Sequence, residues 1–100
     1  MDNRPIGIFD SGVGGLTVMR EVMEQLPYEN IIYLGDTARI PYGSKSEQTI
    51  RKYANQCSSF LKSKDVKTIV IACNTASSIA LEHVQKNFDL PIIGVIDPGA

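Results

Sequence analysis

Metal-ligating and nucleophilic side chains are scarce in this chain of 100 residues, which carries one histidine and two cysteines, Cys57 and Cys73. So few and scattered donors exclude a structural zinc site. Two cysteines, one of them placed as a candidate reactive thiol, fit a reducing compartment better than a disulfide scaffold. Neither sign of charge is in excess: 10 basic residues stand against 11 acidic ones with no basic run. Nucleic acid and anionic membrane surfaces are therefore not expected partners. No apolar run approaches the ~20 residues of a membrane span. The opening MDNRPIGIFD lacks the long apolar segment of a signal peptide, so the expected compartment is cytoplasmic. What is present is the composition of an ordinary folded chain, 43% hydrophobic and 21% charged, long enough for one modest domain though short for an α/β enzyme.

The most informative stretch is KTIVIACNTASS, Lys67 to Ser78. Thr68 to Ala72 are apolar or β-branched and read as a short strand buried on both faces. Cys73 follows, and then Asn74, Thr75, Ser77 and Ser78, residue types that cap and open helices. The thiol is thus expected where a buried strand hands over to a helix N-terminus. Unpartnered N–H groups and the helix dipole favour negative charge there, which makes Cys73 a candidate nucleophile or base. The plainer alternative is a small buried residue closing a strand.

Around that stretch the chain alternates strand and helix. Pro5 to Phe9 reads as a first strand, running into Asp10-Ser11 and a glycine-rich turn, Gly12 to Gly15. Leu16, Met19, Val22, Met23 and Leu26 repeat at helical spacing until Pro27. Asn30 to Leu34 is a second strand, followed by a loop through Pro41-Tyr42-Gly43. Ser46 opens a second helix with the stripe Ile50, Tyr53, Ala54, Cys57, Phe60 and Leu61. After the third strand a helix carries Ala76, Ile79, Ala80, His83 and Val84 on one side, and Ile92 to Ile96 is a fourth strand. The expected fold class is α/β: a parallel sheet of about four strands with helices on both faces. In such sheets ligands bind at the carboxyl ends of the strands. Asp10-Ser11, the Tyr42-Gly43 loop and Cys73-Asn74-Thr75 would share that rim, as a site for a small polar molecule.

Several motifs read blandly. Thr17 occupies the third glycine position of a dinucleotide fingerprint, and no GK[ST] follows for a P-loop, so the glycine turn serves to face Asp10 and Ser11 into the cleft. Gly12 stands where an aspartyl phosphatase needs a second acid, and Ile79 where a tyrosine phosphatase needs its arginine. Nothing around Lys45 argues for a pyridoxal Schiff base. Cys57 reads as a buried structural thiol and His83 as a partly buried structural histidine. Asp36 and Arg39 read as shaping their loop, and Asp97 is left open.

Four strings, FDSGVGGLTV, YLGDTARIPYGSKS, IACNTAS and PIIGVIDPGA, together resemble the bacterial glutamate racemases, in order and spacing. The resemblance implies cofactor-independent interconversion of L- and D-glutamate, supplying D-glutamate for peptidoglycan and so for cell shape. One cysteine, as thiolate, removes the α-proton, and a second delivers a proton to the opposite face. Cys73 matches the first cysteine. Asp10 and Ser11 match a substrate-contacting pair, with Asp10 also placed to assist proton transfer. Tyr42 and Gly43 match a second contact loop, and Asn74 and Thr75 match residues that hold the substrate's polar groups. The family's second cysteine lies in a GCTHYP segment that these residues do not contain. Residues 1–100 are therefore expected to be most of the amino-terminal lobe of a two-lobed enzyme, inactive alone, with no metal, and a homodimer when intact. An aspartate racemase, or a single-thiol relative such as a maleate isomerase or arylmalonate decarboxylase, is the alternative.

Overall fold

The computed structural model describes residues 3–10, 15–36 and 45–95, with backbone alone at 15 and 16. In chain order the elements are β1 (Ile6–Asp10), α1 (Gly15–Gln25), β2 (Ile31–Gly35), α2 (Glu47–Ser63), β3 (Thr68–Ile71), α3 (Asn74–Asn87) and β4 (Ile92–Gly94). The four strands form one parallel sheet in the order β2-β1-β3-β4. All five residues of β1 are buried, as a central strand covered on both faces requires.

The strand order fixes where the helices go. From β1 the chain steps one way to β2, then back past β1 to β3 and onward to β4. Right-handed crossovers put connections that step in opposite directions on opposite faces. Accordingly α1 lies on one face, where Val18, Met19 and Val22 pack on Ile6, Ile8, Val70 and Ala72. On the other face Ile50, Ala54, Cys57 and Leu61 of α2 and Ala76, Ala80 and Val84 of α3 cover Phe9, Ile69, Ile71 and Ile92. Each large aliphatic side chain enclosed this way contributes roughly 1.5–3 kcal/mol.

Element starts and stops follow local chemistry. Ser46 caps α2, its Oγ accepting from the Thr49 N–H at 3.1 Å. At the other end of α2 the Lys64 and Asp65 N–H groups bond back to Leu61 and Lys62, and Asp65 takes the left-handed conformation (φ 60°) that turns the chain into β3.

Three apolar residues of the expected stripes face outward. Met23 (52% exposed) and Leu26 lie off the α1 contact face, which is carried by Val18, Met19 and Val22. Phe60 is 45% exposed, because the buried row of α2 runs through Ile50, Ala54, Cys57, Ser58 and Leu61. β4 runs from Ile92 to Gly94, and Val95 donates to the Ile71 carbonyl at 3.1 Å; Ile96 of the expected strand lies outside the described residues.

Candidate active site

Doubly wound sheets open a crevice where consecutive connections leave toward opposite faces. Here that point lies between the carboxyl ends of β1, which feeds α1, and β3, which feeds α3. Asp10 closes β1, and Cys73 stands two residues past the end of β3. The two ends are held level: Phe9 pairs with Ile71, and the Ala72 N–H donates to the Phe9 carbonyl at 2.8 Å.

Cys73 is the residue that begins α3. Its backbone is extended (φ −116°, ψ 123°), and its carbonyl accepts the helix's first bond from the Ser77 N–H at 2.8 Å. The N–H groups of the first turn therefore have no partner within the helix. No side-chain cap bond forms at this end, so a ligand anion or the thiol itself can face those donors. The side chain is 8% exposed and joins the cluster of Ile69, Ile71 and Ala76. Asn74 is exposed and Thr75 half-buried in the same first turn.

Asp10 is 2% exposed. A carboxylate so enclosed needs hydrogen bonds to offset lost hydration. Tyr33 of β2 provides one, its Oη donating to Asp10 Oδ2 at 2.6 Å. Burial first, then the hydrogen bond to Asp10 and the nearness of that carboxylate, push the Tyr33 hydroxyl from 10.0 up to about 12, so it stays a donor. The Asp36 N–H bonds the Asp10 carbonyl at 3.0 Å, extending the β1–β2 pairing beyond Gly35.

The sequence singled out Asp10, Ser11, Tyr42, Gly43, Cys73, Asn74 and Thr75. The structure brings Asp10 and the Cys73–Thr75 turn to one rim. Ser11, Tyr42 and Gly43 lie outside the described residues, as do Arg39 and Asp97. Cys57 is buried as expected, yet its Sγ also lies 3.8 Å from Asp36 Oδ2. His83 is half-buried, and its Nε2 meets the side-chain nitrogens of Asn55 and Asn87 at 3.1 and 3.3 Å, a structural tie between α2 and α3.

Sequence reasoning missed two residues. Tyr33 follows Ile31 on the α1 face of β2, but only the β1–β2 register sets its hydroxyl against Asp10. Ser77 stood out as a residue that opens helices. Instead its buried Oγ donates to the Ile71 carbonyl (2.9 Å) and accepts from the Val95 N–H (3.1 Å), joining the ends of β3 and β4. Among the described residues no group of acidic, histidine and cysteine side chains could hold a metal ion, and no helix is long and apolar enough to cross a membrane.

Residues 6–100 match the sequence model of the Asp/Glu/hydantoin racemase family. The chain is 60% identical over its whole length to the glutamate racemase of Streptococcus sanguinis, of which it covers 38%. Among solved structures, it superposes on the glutamate racemase of Francisella tularensis in complex with D-glutamate with a TM-score of 0.88, at 56% identity, covering 94% of this chain and 36% of that one. The Thermus thermophilus glutamate racemase in complex with β-chloro-D-alanine gives a TM-score of 0.90 at 49% identity, covering 96% of this chain and 38% of that one. The chain thus spans little more than a third of the length of the relatives it matches.

Proposed function

Because the chain belongs to the Asp/Glu/hydantoin racemase family, we propose that it is the amino-terminal lobe of a two-lobed enzyme that interconverts L- and D-glutamate without a cofactor. The observation that carries this reading is the pairing of a cysteine at a helix N-terminus with an enclosed carboxylate on the neighbouring strand end, in a chain 60% identical throughout to a glutamate racemase.

The α-proton of an amino acid is far less acidic than a thiol. Its removal needs a base that is close, oriented and shielded from water, and donors that stabilise the developing carbanion. Cys73 as thiolate is the base for one face of the substrate. The first-turn N–H groups of α3 favour that anion and any carboxylate beside it. Asp10 assists proton transfer and, with Ser11, contacts the substrate; Asn74, Thr75, Tyr42 and Gly43 complete the binding set. A second cysteine, supplied by the rest of the protein, serves the other face: abstraction by one sulfur and delivery by the other inverts Cα with no net proton change. The D-glutamate would go to peptidoglycan and so support cell shape, in the cytoplasm, and the intact enzyme would be a homodimer.

Circular dichroism of D- and L-glutamate incubated with the full-length protein tests this. The expected result is loss of optical activity from either enantiomer, and its persistence from both would overturn the reading. A chain that racemised aspartate while leaving glutamate untouched would replace it with the aspartate alternative.

A further inference from the structure

The proposed site leaves one question that its geometry answers: what fixes the direction of the Asp10 carboxylate. A carboxylate at a strand end can rotate about its last bond, and each orientation aims its oxygens differently. The Tyr33 hydroxyl reaches Asp10 from the adjacent strand, 23 residues along the chain, at 2.6 Å, the short range of bonds to an ionised acceptor. Tyr33 is itself held at both ends of its side chain. Its backbone pairs with Ile8 in the sheet, and its ring packs on the cluster of Ile6 and Ile8 beneath α1. A rigid ring anchored in a strand is therefore a fixed partner, and Asp10 Oδ2 is the atom it holds.

Space around the pair is limited as well. A methyl group at Gly35, the register partner of Asp10, would stand 3.4 Å from the Tyr33 ring, 3.5 Å from its hydroxyl oxygen and 3.6 Å from Asp10 Oδ1. A methyl at that position would thus be in ordinary van der Waals contact with both partners.

We propose that Tyr33 is the positioning residue of the site: by holding Asp10 Oδ2 it aims the carboxylate at the substrate beside Cys73. This rests on the reading of Asp10 as a substrate-contacting group. Its effect on the reaction runs through Asp10.

The test uses the full-length protein. Tyr33→Phe keeps the ring and deletes only the hydroxyl, so the fold is retained, with a lower melting temperature because the buried Asp10 carboxylate loses a hydrogen bond. With glutamate, the variant is expected to lose roughly 10- to 100-fold in kcat/KM, the range for a hydrogen bond to a charged group. In an Asp10→Asn background, the same change is expected to cost under about threefold, because the group it acts through is already altered. Equal losses in both backgrounds would show that the hydroxyl works by another route and would overturn the proposal. A second readout needs no activity. In a pH titration of the tyrosine ring signals, the signal that vanishes in Tyr33→Phe is expected to titrate above the ordinary 10.0, and to move to lower pH in Asp10→Asn. If that signal ignores the Asp10 substitution, the bond is absent and the proposal fails, whatever the enzyme does. A wild-type protein that turns over no glutamate but shows the shifted signal would instead defeat the functional reading and leave the carboxylate-holding role standing.

Discussion

Asp10 and Tyr33 illustrate how a polar pair can be enclosed at the edge of an apolar core. The carboxylate is almost sequestered from water, and the phenol bonded to it is correspondingly reluctant to ionise. That reluctance has a consequence for stability. The folded-state pKa of Tyr33, about 12, lies above the ordinary 10.0. Between those values the folded chain holds a proton that the unfolded chain releases, so raising the pH favours unfolding. The contribution is whole below pH 10 and is lost as the pH climbs to about 12. Denaturant unfolding of the full-length protein at pH 9 and pH 11 should show a larger loss for wild type than for Tyr33→Phe, and equal losses would contradict the bond. Asp10 was legible in the sequence, as a charged residue ending an apolar strand before a glycine turn. Tyr33 was not, because a tyrosine in a strand reads as packing until the register of the neighbouring strand is known.

At the scale of elements, the turn from β3 into α3 is what presents Cys73, and Ser77 is its brace. Its Oγ bonds both Ile71 and Val95 from within the buried side of α3. Ser77→Ala removes both bonds but leaves the Val95 N–H on the Ile71 carbonyl, and a loss of about 0.5–1.5 kcal/mol is expected in denaturant titrations. Gly94 is the complement of this brace. A Cβ there would stand 3.1 Å from Ser77 Oγ and 3.1 Å from Leu81 Cδ2, closer than ordinary contact. Gly94→Ala should therefore cost about 1–3 kcal/mol through overpacking, measured in the same way. By contrast, Ser46→Ala at the exposed start of α2 removes only a cap, for about 1 kcal/mol.

The elements themselves were readable, since runs such as TIVIA and stripes such as Ile50, Ala54, Cys57 and Leu61 carry their periods openly. Which apolar residues at the margins of a stripe turn outward was not. Phe60 sits at helical spacing with buried neighbours and Met23 with half-buried ones, and only the width of the contact with the sheet decides their exposure. The Cys57 thiol was likewise assigned to the core by its stripe, while its approach to Asp36 depends on how α2 lies over the end of β2.

For the molecule as a whole, the strand order β2-β1-β3-β4 does most to make a site, because it brings the ends of β1 and β3 together at the switch point. The β-α alternation announced a parallel sheet, but it left the order of the strands undetermined, since a step to either side of β1 satisfies the same pattern. One lobe of the proposed two-lobed enzyme presents one wall of its cleft. Residues 1–100 expressed alone are therefore expected to show no racemisation of glutamate, and the full-length protein is expected to show it; turnover by residues 1–100 alone would break the two-cysteine account.

The central claim is that the Cys73 sulfur moves the α-proton. Nuclear magnetic resonance of glutamate in D2O follows that step directly, as replacement of the α-proton by deuterium. The account predicts exchange from both enantiomers with the wild-type full-length protein and, in Cys73→Ala, a fall of about 10²–10⁴-fold or more for the enantiomer whose α-proton faces Cys73. Because Cys73 is buried against Ile69, Ile71 and Ala76, circular dichroism of Cys73→Ala checks that the fold is intact before the rates are compared. Exchange persisting near the wild-type rate for both enantiomers in Cys73→Ala would contradict the account and return Cys73 to the role of a buried residue closing a strand.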